Sequence, residues 1–326
     1  MRRLAGRNRV PGHRWLMTIQ ITAKTTRKMI REAYRMGIRV VKYYPAGVTT
    51  NSENGVSGWW EAIMAALEEM ARLCEEHPDQ PMVLQVHAEE GFDEHGKELD
   101  PWLREYRALP QVRWLALRLP HLVISFEHVS TDGAVDLGIE LPNLLLSISI
   151  VHMTLTREDV VDHAHHLNPH CWCAPVAKDE PSRKRLVAAA TGQIPELADR
   201  VHLGLDYAPH LIELKEAREW TFPPGADKKL PPMGAYSLPE AVPLLVALFE
   251  RTVAGGPDVW TSRLLKFGRT NGPRNYGVTL PNRRHITLVR EPSMVPNHYV
   301  DHEGVPTLRS FMAGREVSWK VIGARL

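Results

Sequence analysis

Four side chains able to do metal or acid–base chemistry close four separate apolar stretches. Lys42 follows Val40 and Val41, His87 ends P-M-V-L-Q-V-H, His128 ends H-L-V-I-S-F-E-H, and Asp206 ends V-H-L-G-L-D. Each has an ordinary reading on its own. A strand-end lysine can lay its stem on apolar surface and reach solvent. A single histidine is commonly a hydrogen-bonded structural residue, and an aspartate before a loop commonly caps a helix. Four such residues at four strand ends point instead to one shared site. Two imidazoles and a carboxylate suit zinc. A protonated lysine has no lone pair to offer. A buried lysine with a lowered pKa reacts as a free amine, and carbon dioxide would turn it into a carbamate, an oxygen ligand able to bridge two metals.

The elements that must position these residues alternate in type. Apolar strands are predicted over 16–22, 39–44, 81–87, 121–128, 144–150 and 201–206. Helical spacing is predicted over 25–36, 58–76, 100–109, 131–137, 157–166 and 181–190, and 171–176 reads as a further short extended piece. Six strand–helix units of this kind predict a parallel sheet covered by helices, with strands apolar on both faces. In a parallel barrel all strand C-termini open onto one face, so the four residues are expected to converge. After a Pro/Gly-rich loop at 223–236, helices are predicted over 238–252 and 258–267, then short strands and turns over 278–320. The expectation is one domain over 1–326, with barrel units in 15–270 and a C-terminal appendage in 271–326.

Composition narrows the function class. With 40 Lys and Arg against 38 Asp and Glu, the net charge of +2 leaves no basic stripe for nucleic acid or a membrane surface. No apolar run reaches the roughly 18 residues of a membrane span. Arg2, Arg3, Arg7 and Arg9 are followed by no apolar segment of a secretory signal. The cysteines are Cys74, Cys171 and Cys173, an odd count that fits free thiols in a reducing cytoplasm. Cys171-Trp172-Cys173 lacks partners for a structural zinc site and reads as buried thiols. His163-Ala164-His165, with His166 after it, is the one His-x-His in the chain. Its residues fall in a helical pattern, where positions i and i+2 diverge, so it reads as a solvated helix end rather than a ligand pair.

A set of motifs carries a family resemblance. K-Y-Y-P-A-G-V-T-T-N-S-E-N-G-V (42–56), V-H-A-E (86–89), F-E-H-V-S-T (126–131), L-G-L-D-Y-A-P-H (203–210), N-G-P-R-N-Y-G (271–277) and M-A-G-R-E-V-S-W (312–319) together resemble the monofunctional, bacterial-type dihydroorotases of the amidohydrolase superfamily. The resemblance runs from about residue 10 to near the C-terminus. It implies a (β/α)8 TIM barrel with two zinc ions, and reversible ring closure of N-carbamoyl-L-aspartate to dihydroorotate in pyrimidine synthesis. It implies that Lys42 is the carboxylated bridging lysine and that His87 and His128 are ligands of one zinc. Asp206 is implied as a ligand of the other zinc and as the proton shuttle. Thr49 and Thr50 correspond to a mobile loop over the substrate, Ala174 to a backbone contact with the ring, and His210 to a carboxylate-binding residue. A cytoplasmic enzyme acting on a small molecule, and a homodimer, are implied as well.

The chain departs from the family pattern in one important respect. The family's first strand carries a His-x-His pair and an arginine, and its second an asparagine; no match to these is found. The expectation is a chain that starts just before the third strand, with about six of eight β/α units. Leu205 and Tyr207 flank Asp206 where small polar residues are more usual, and 211–226 lacks the cysteines often seen there. Two other readings stand beside the enzyme. One is a catalytically inactive homologue that binds a partner protein. The other is a different cyclic-amide hydrolase, which T-T-N at 49–51 and A-P-H at 208–210 disfavour.

Overall fold

The structure, a computed structural model, describes residues 16–48, 52–225, 229–279 and 285–325. Six strands form one sheet in chain order: β1 (Thr18–Gln20), β2 (Val40–Tyr43), β3 (Val83–Val86), β4 (Val123–Phe126), β5 (Leu144–Ile148) and β6 (Val201–Leu203). Every pairing is parallel, as the alternation of strands and helices requires. The register sets Gln20, Lys42, Gln85 and Ser125 side by side. Between those positions, Val41, Leu84, Ile124, Phe126 and Leu146 point the other way and are fully buried. The inner face is mixed: Val40 and Val83 are buried there in a second apolar cluster with Tyr276, and the layer nearer the strand C-termini is polar, with Lys42, Gln85 and Ser125. The expectation of two apolar faces thus holds for the lower layer and gives way to polar groups toward the strand ends.

Helix ends follow local chemistry. In α1 (Arg27–Arg35), Thr26 caps the start by accepting from the Met29 N–H. The next helix, α2 (Met64–Glu76), is preceded by a 3-10 turn at Glu61–Ile63, so it begins later than 58. Next, α3 (Arg104–Arg118) runs straight through Pro110, where the sequence reading ends it at 109. Val112, Leu115 and Ala116 lie beyond the proline and are buried. Two large side chains at roughly 1.5–3 kcal/mol each, with Ala116, outweigh the roughly 3 kcal/mol that an interior proline costs. Thr131 caps α4 (Asp132–Glu140) and Ser149 caps α5 (Ile150–Thr154). The predicted helix at 157–166 shortens to α6 (Arg157–Val160), closed by a reciprocal Thr156–Asp159 capping box. Residues 171–176 form turns with a cis Ala174–Pro175 bond, not an extended strand. Asp179 caps α7 (Glu180–Ala190).

Beyond β6 come α8 (Ile212–Lys215), α9 (Ala241–Thr252), α10 (Pro257–Leu265), a π turn at Lys266–Thr270, and α11 (Asn271–Asn275). The C-terminal residues form nested antiparallel pairs. These are β7 (His285–Val289) with β12 (Lys320–Arg325), β8 (Ser293–Met294) with β11 (Glu316–Val317), and β9 (Tyr299–Val300) with β10 (Pro306–Leu308). Val295, Phe311, Met312 and Val317 of this part join the main hydrophobic core. Among the described residues no helix is long and apolar enough to cross a membrane.

Candidate active site

The fold gathers Lys42, His87, His128 and Asp206 at the C-terminal ends of β2, β3, β4 and β6. Nδ1 of His87 lies 3.1 Å from Nε2 of His128, with ring centroids 4.7 Å apart and the rings edge to face. Both rings are buried. His128 and Asp206 have positive φ angles, 40° and 41°, a region that residues other than glycine seldom enter. Such strain persists only where the surroundings enforce it, and it concentrates at functional sites. Gly204 lets β6 come this close: a Cβ there would stand 2.1 Å from the Ser147 hydroxyl oxygen.

The electrostatics couple the four groups. Burial lowers the pKa of Lys42, and the carboxylates of Glu127 and Asp206 pull the other way. Burial, reinforced by His87 and Lys42, drives the His128 pKa well below the usual histidine value, so the ring is neutral with a lone pair available. Burial also raises the Asp206 carboxyl to about 6, opposed by Lys42 and His87. Asp206 sits at the rim with part of its surface open to water. It therefore keeps some hydration, which opposes the shift.

Buried carboxylates hold the histidines in place. Glu89 Oε2 lies 2.8 Å from Nε2 of His87. The Glu105 side chain accepts from the backbone N–H and hydroxyl of both Ser130 and Thr131, at 2.5–3.1 Å. It thereby pins the turn that leaves His128. Lys178 lies near both carboxylates and also donates to the Val176 carbonyl at 2.9 Å. His152 accepts from Ser149 at 2.8 Å and donates Nε2–H to the Pro175 carbonyl at 2.9 Å, fixing the turn after Ala174. Sequence reasoning found none of Glu89, Glu105, Glu127, Lys178 or His152. The only local signals were the acidic residues beside the histidines in V-H-A-E and F-E-H.

The remaining sequence-predicted residues divide. His210 donates Nε2–H to the Met233 carbonyl at 2.9 Å, and Trp172, two residues before Ala174, accepts from Gly234 N–H at 2.8 Å. His210 and Ala174 thus share one supporting segment. Thr49 and Thr50 lie outside the described residues. The base of their loop is closed by Ala46 N–H to Val56 O at 3.1 Å and Val56 N–H to Tyr44 O at 3.1 Å. His163, His165 and His166 are exposed in a surface turn rather than at a helix end, His165 with φ 66°. His166 faces Asp162 at 3.1 Å. Cys74, Cys171 and Cys173 are buried free thiols.

The donor set bears on a metal directly. Among the described residues no three His, Cys, Asp or Glu side chains group as a metal site. The adjacent imidazoles do suit one cation, and Nδ1 of His128 is buried with no partner among the described residues. Lys42 would serve as a further ligand only after conversion to a carbamate. For a second cation the described residues offer Asp206 and a share of Lys42.

No protein-family model matches the chain. A dihydroorotase of Neisseria meningitidis serogroup C is 36% identical over 310 residues, which cover 94% of this chain and 79% of that protein. Among solved structures, a Saccharomyces cerevisiae dihydroorotase in complex with 5-fluoroorotic acid superposes with a TM-score of 0.77 at 26% identity, covering 96% of this chain and 81% of that one. A Campylobacter jejuni dihydroorotase gives 0.73 at 27% identity, covering 94% and 78%.

Proposed function

The chain belongs to the dihydroorotase family, and on that premise we propose that its Lys42, His87, His128 and Asp206 carry a zinc-dependent interconversion of dihydroorotate and N-carbamoyl-L-aspartate. The observation that carries the proposal is the convergence of these four groups, with two buried imidazole rings in contact. His87, His128 and a carboxylated Lys42 would hold one zinc, with Asp206 and Lys42 toward a second. Zinc bound there would supply a lowered water pKa and a polarised carbonyl.

The chain's own residues do the rest. Asp206, with a pKa near 6, is ionised at neutral pH yet basic enough to take a proton at Oδ and return it to the departing ring nitrogen. His210 and the backbone at Ala174 orient the ring and its carboxylate. Thr49 and Thr50, outside the described residues, are assigned to the substrate from the family resemblance alone. The free thiols Cys74, Cys171 and Cys173 support a cytoplasmic setting. A homodimer is proposed from the family resemblance alone.

One observation favours the alternative of a non-catalytic, partner-binding homologue: the second cation has only Asp206 and a share of Lys42 among the described residues. Zinc titration of the purified chain, followed by an assay of dihydroorotate ring opening, separates the two. The expected result is tight zinc binding and turnover that Asp206→Asn abolishes while the fold persists. Zinc-loaded protein that never turns over would move the assignment to the partner-binding reading. Full activity in Asp206→Asn would remove the proton-shuttle role.

A further inference from the structure

Lys215 is almost fully buried at the end of α8 and has no carboxylate partner among the described residues. Its ammonium group donates instead to four backbone carbonyls: Pro169 at 2.6 Å, Pro232 at 2.7 Å, Gly234 at 2.6 Å and Trp172 at 3.3 Å. An ammonium has three protons, so one is shared. A buried lysine cation costs several kcal/mol to desolvate. It is retained where the carbonyl dipoles around it do something a neutral side chain could not.

The four carbonyls belong to two separate segments, 169–172 and 232–234. Met233, which accepts from His210, lies between the two residues that Lys215 holds on that side. Gly234 has φ 151°, and a Cβ there would stand 2.6 Å from the Ala208 Cβ and 3.0 Å from the His210 ring. Ala208 N–H bonds the Ala235 carbonyl at 3.2 Å. The A-P-H segment after Asp206 is therefore packed directly on the backbone that Lys215 gathers.

We propose that Lys215 is a positioning residue for substrate binding: its ammonium acts as an internal cation that joins 169–172 to 232–234 and so sets His210 and the approach to Ala174. The proposal rests on the assignment of His210 and Ala174 to the substrate. The charge is essential and the stem is not. A methionine fills the same volume but leaves four carbonyls facing an apolar end.

The test uses the full chain and two variants. In Lys215→Met, the KM for dihydroorotate rises about tenfold while kcat stays within about threefold, because placement and not chemistry is lost. Hydrogen exchange at the Ala208 and Gly234 amides accelerates in the same variant. In Lys215→Ala, propylammonium supplies the atoms removed and restores both amide protection and KM, whereas 1-propanol does not. A Lys215→Met protein with unchanged KM and protected amides overturns the proposal. So does rescue of Lys215→Ala by propanol as well as by the amine, or by neither. If Lys215→Met fails to fold, the selective amine rescue of Lys215→Ala decides. If the wild-type chain never turns over dihydroorotate, the functional assignment falls, and exchange with amine rescue still decides the role of Lys215.

Discussion

At the scale of single residues, the site depends on groups kept in one protonation state by what surrounds them. His152 shows this most simply. It is buried, and both ring nitrogens are used, one accepting from Ser149 and the other donating to Pro175. Burial lowers its pKa to about 4, against about 6.5 in the unfolded chain. The folded state then binds fewer protons than the unfolded state between those values. Its contribution is complete above about pH 6.5 and is lost as pH falls toward about 4. His152→Gln keeps a donor toward Pro175 and cannot be protonated. Urea midpoints should show the wild type losing about 2 kcal/mol more than the variant between about pH 7 and about pH 4.5. Equal losses would mean that a charged ring is tolerated there.

At the scale of elements, the strands carry the chemistry at their ends and the helices carry the burial. Pro110 marks where local propensity and tertiary packing disagree. Its ring removes the hydrogen bond to the Tyr106 carbonyl inside α3, yet the helix continues because its second half is core. Pro110 is solvent-exposed, so Pro110→Ala changes little packing. It restores one backbone hydrogen bond and relieves the ring clash, partly offset by a more flexible unfolded chain. The expected gain is about 1–2 kcal/mol, read as a higher thermal midpoint. A lower midpoint would mean that the proline ring itself supports the α3 packing.

At the scale of the whole molecule, Tyr276 ties the C-terminal part to the sheet. Its hydroxyl accepts from Gln85 at 3.1 Å and lies 3.1 Å from the Ser125 hydroxyl and 3.2 Å from a Glu127 oxygen. These three residues come from β3, β4 and the turn that follows β4, where Glu127 precedes His128. Nearby, Asn271 donates to the Ala198 and Val201 carbonyls, closing the base of β6. Tyr276→Phe keeps the ring and strands buried polar groups, at a cost of about 1–3 kcal/mol in denaturant unfolding. Activity should fall further than stability alone explains, because Glu127 faces both Lys42 and Asp206. A Phe variant as stable and active as the wild type would show that water replaces the hydroxyl.

The sequence by itself determined the six parallel strands, the alternation that covers them with helices, and the four strand-end residues that the fold brings together. Each of these is written in short-range pattern: runs of Val, Leu and Ile, turn residues, and one polar residue where a run stops. It also marked Cys74, Cys171 and Cys173 as buried thiols and His163 and His165 as solvated, and they are buried and exposed respectively. Only the tertiary structure decided which groups support the four. Glu105 meets Ser130 and Thr131 across a gap of 25 residues, and Lys215 meets Pro169 across 46. The continuation of α3 through Pro110 and the left-handed backbone at His128 and Asp206 belong to the same class. These features arise because buried polar groups must find partners wherever the chain brings them, and no local pattern records which partner that is.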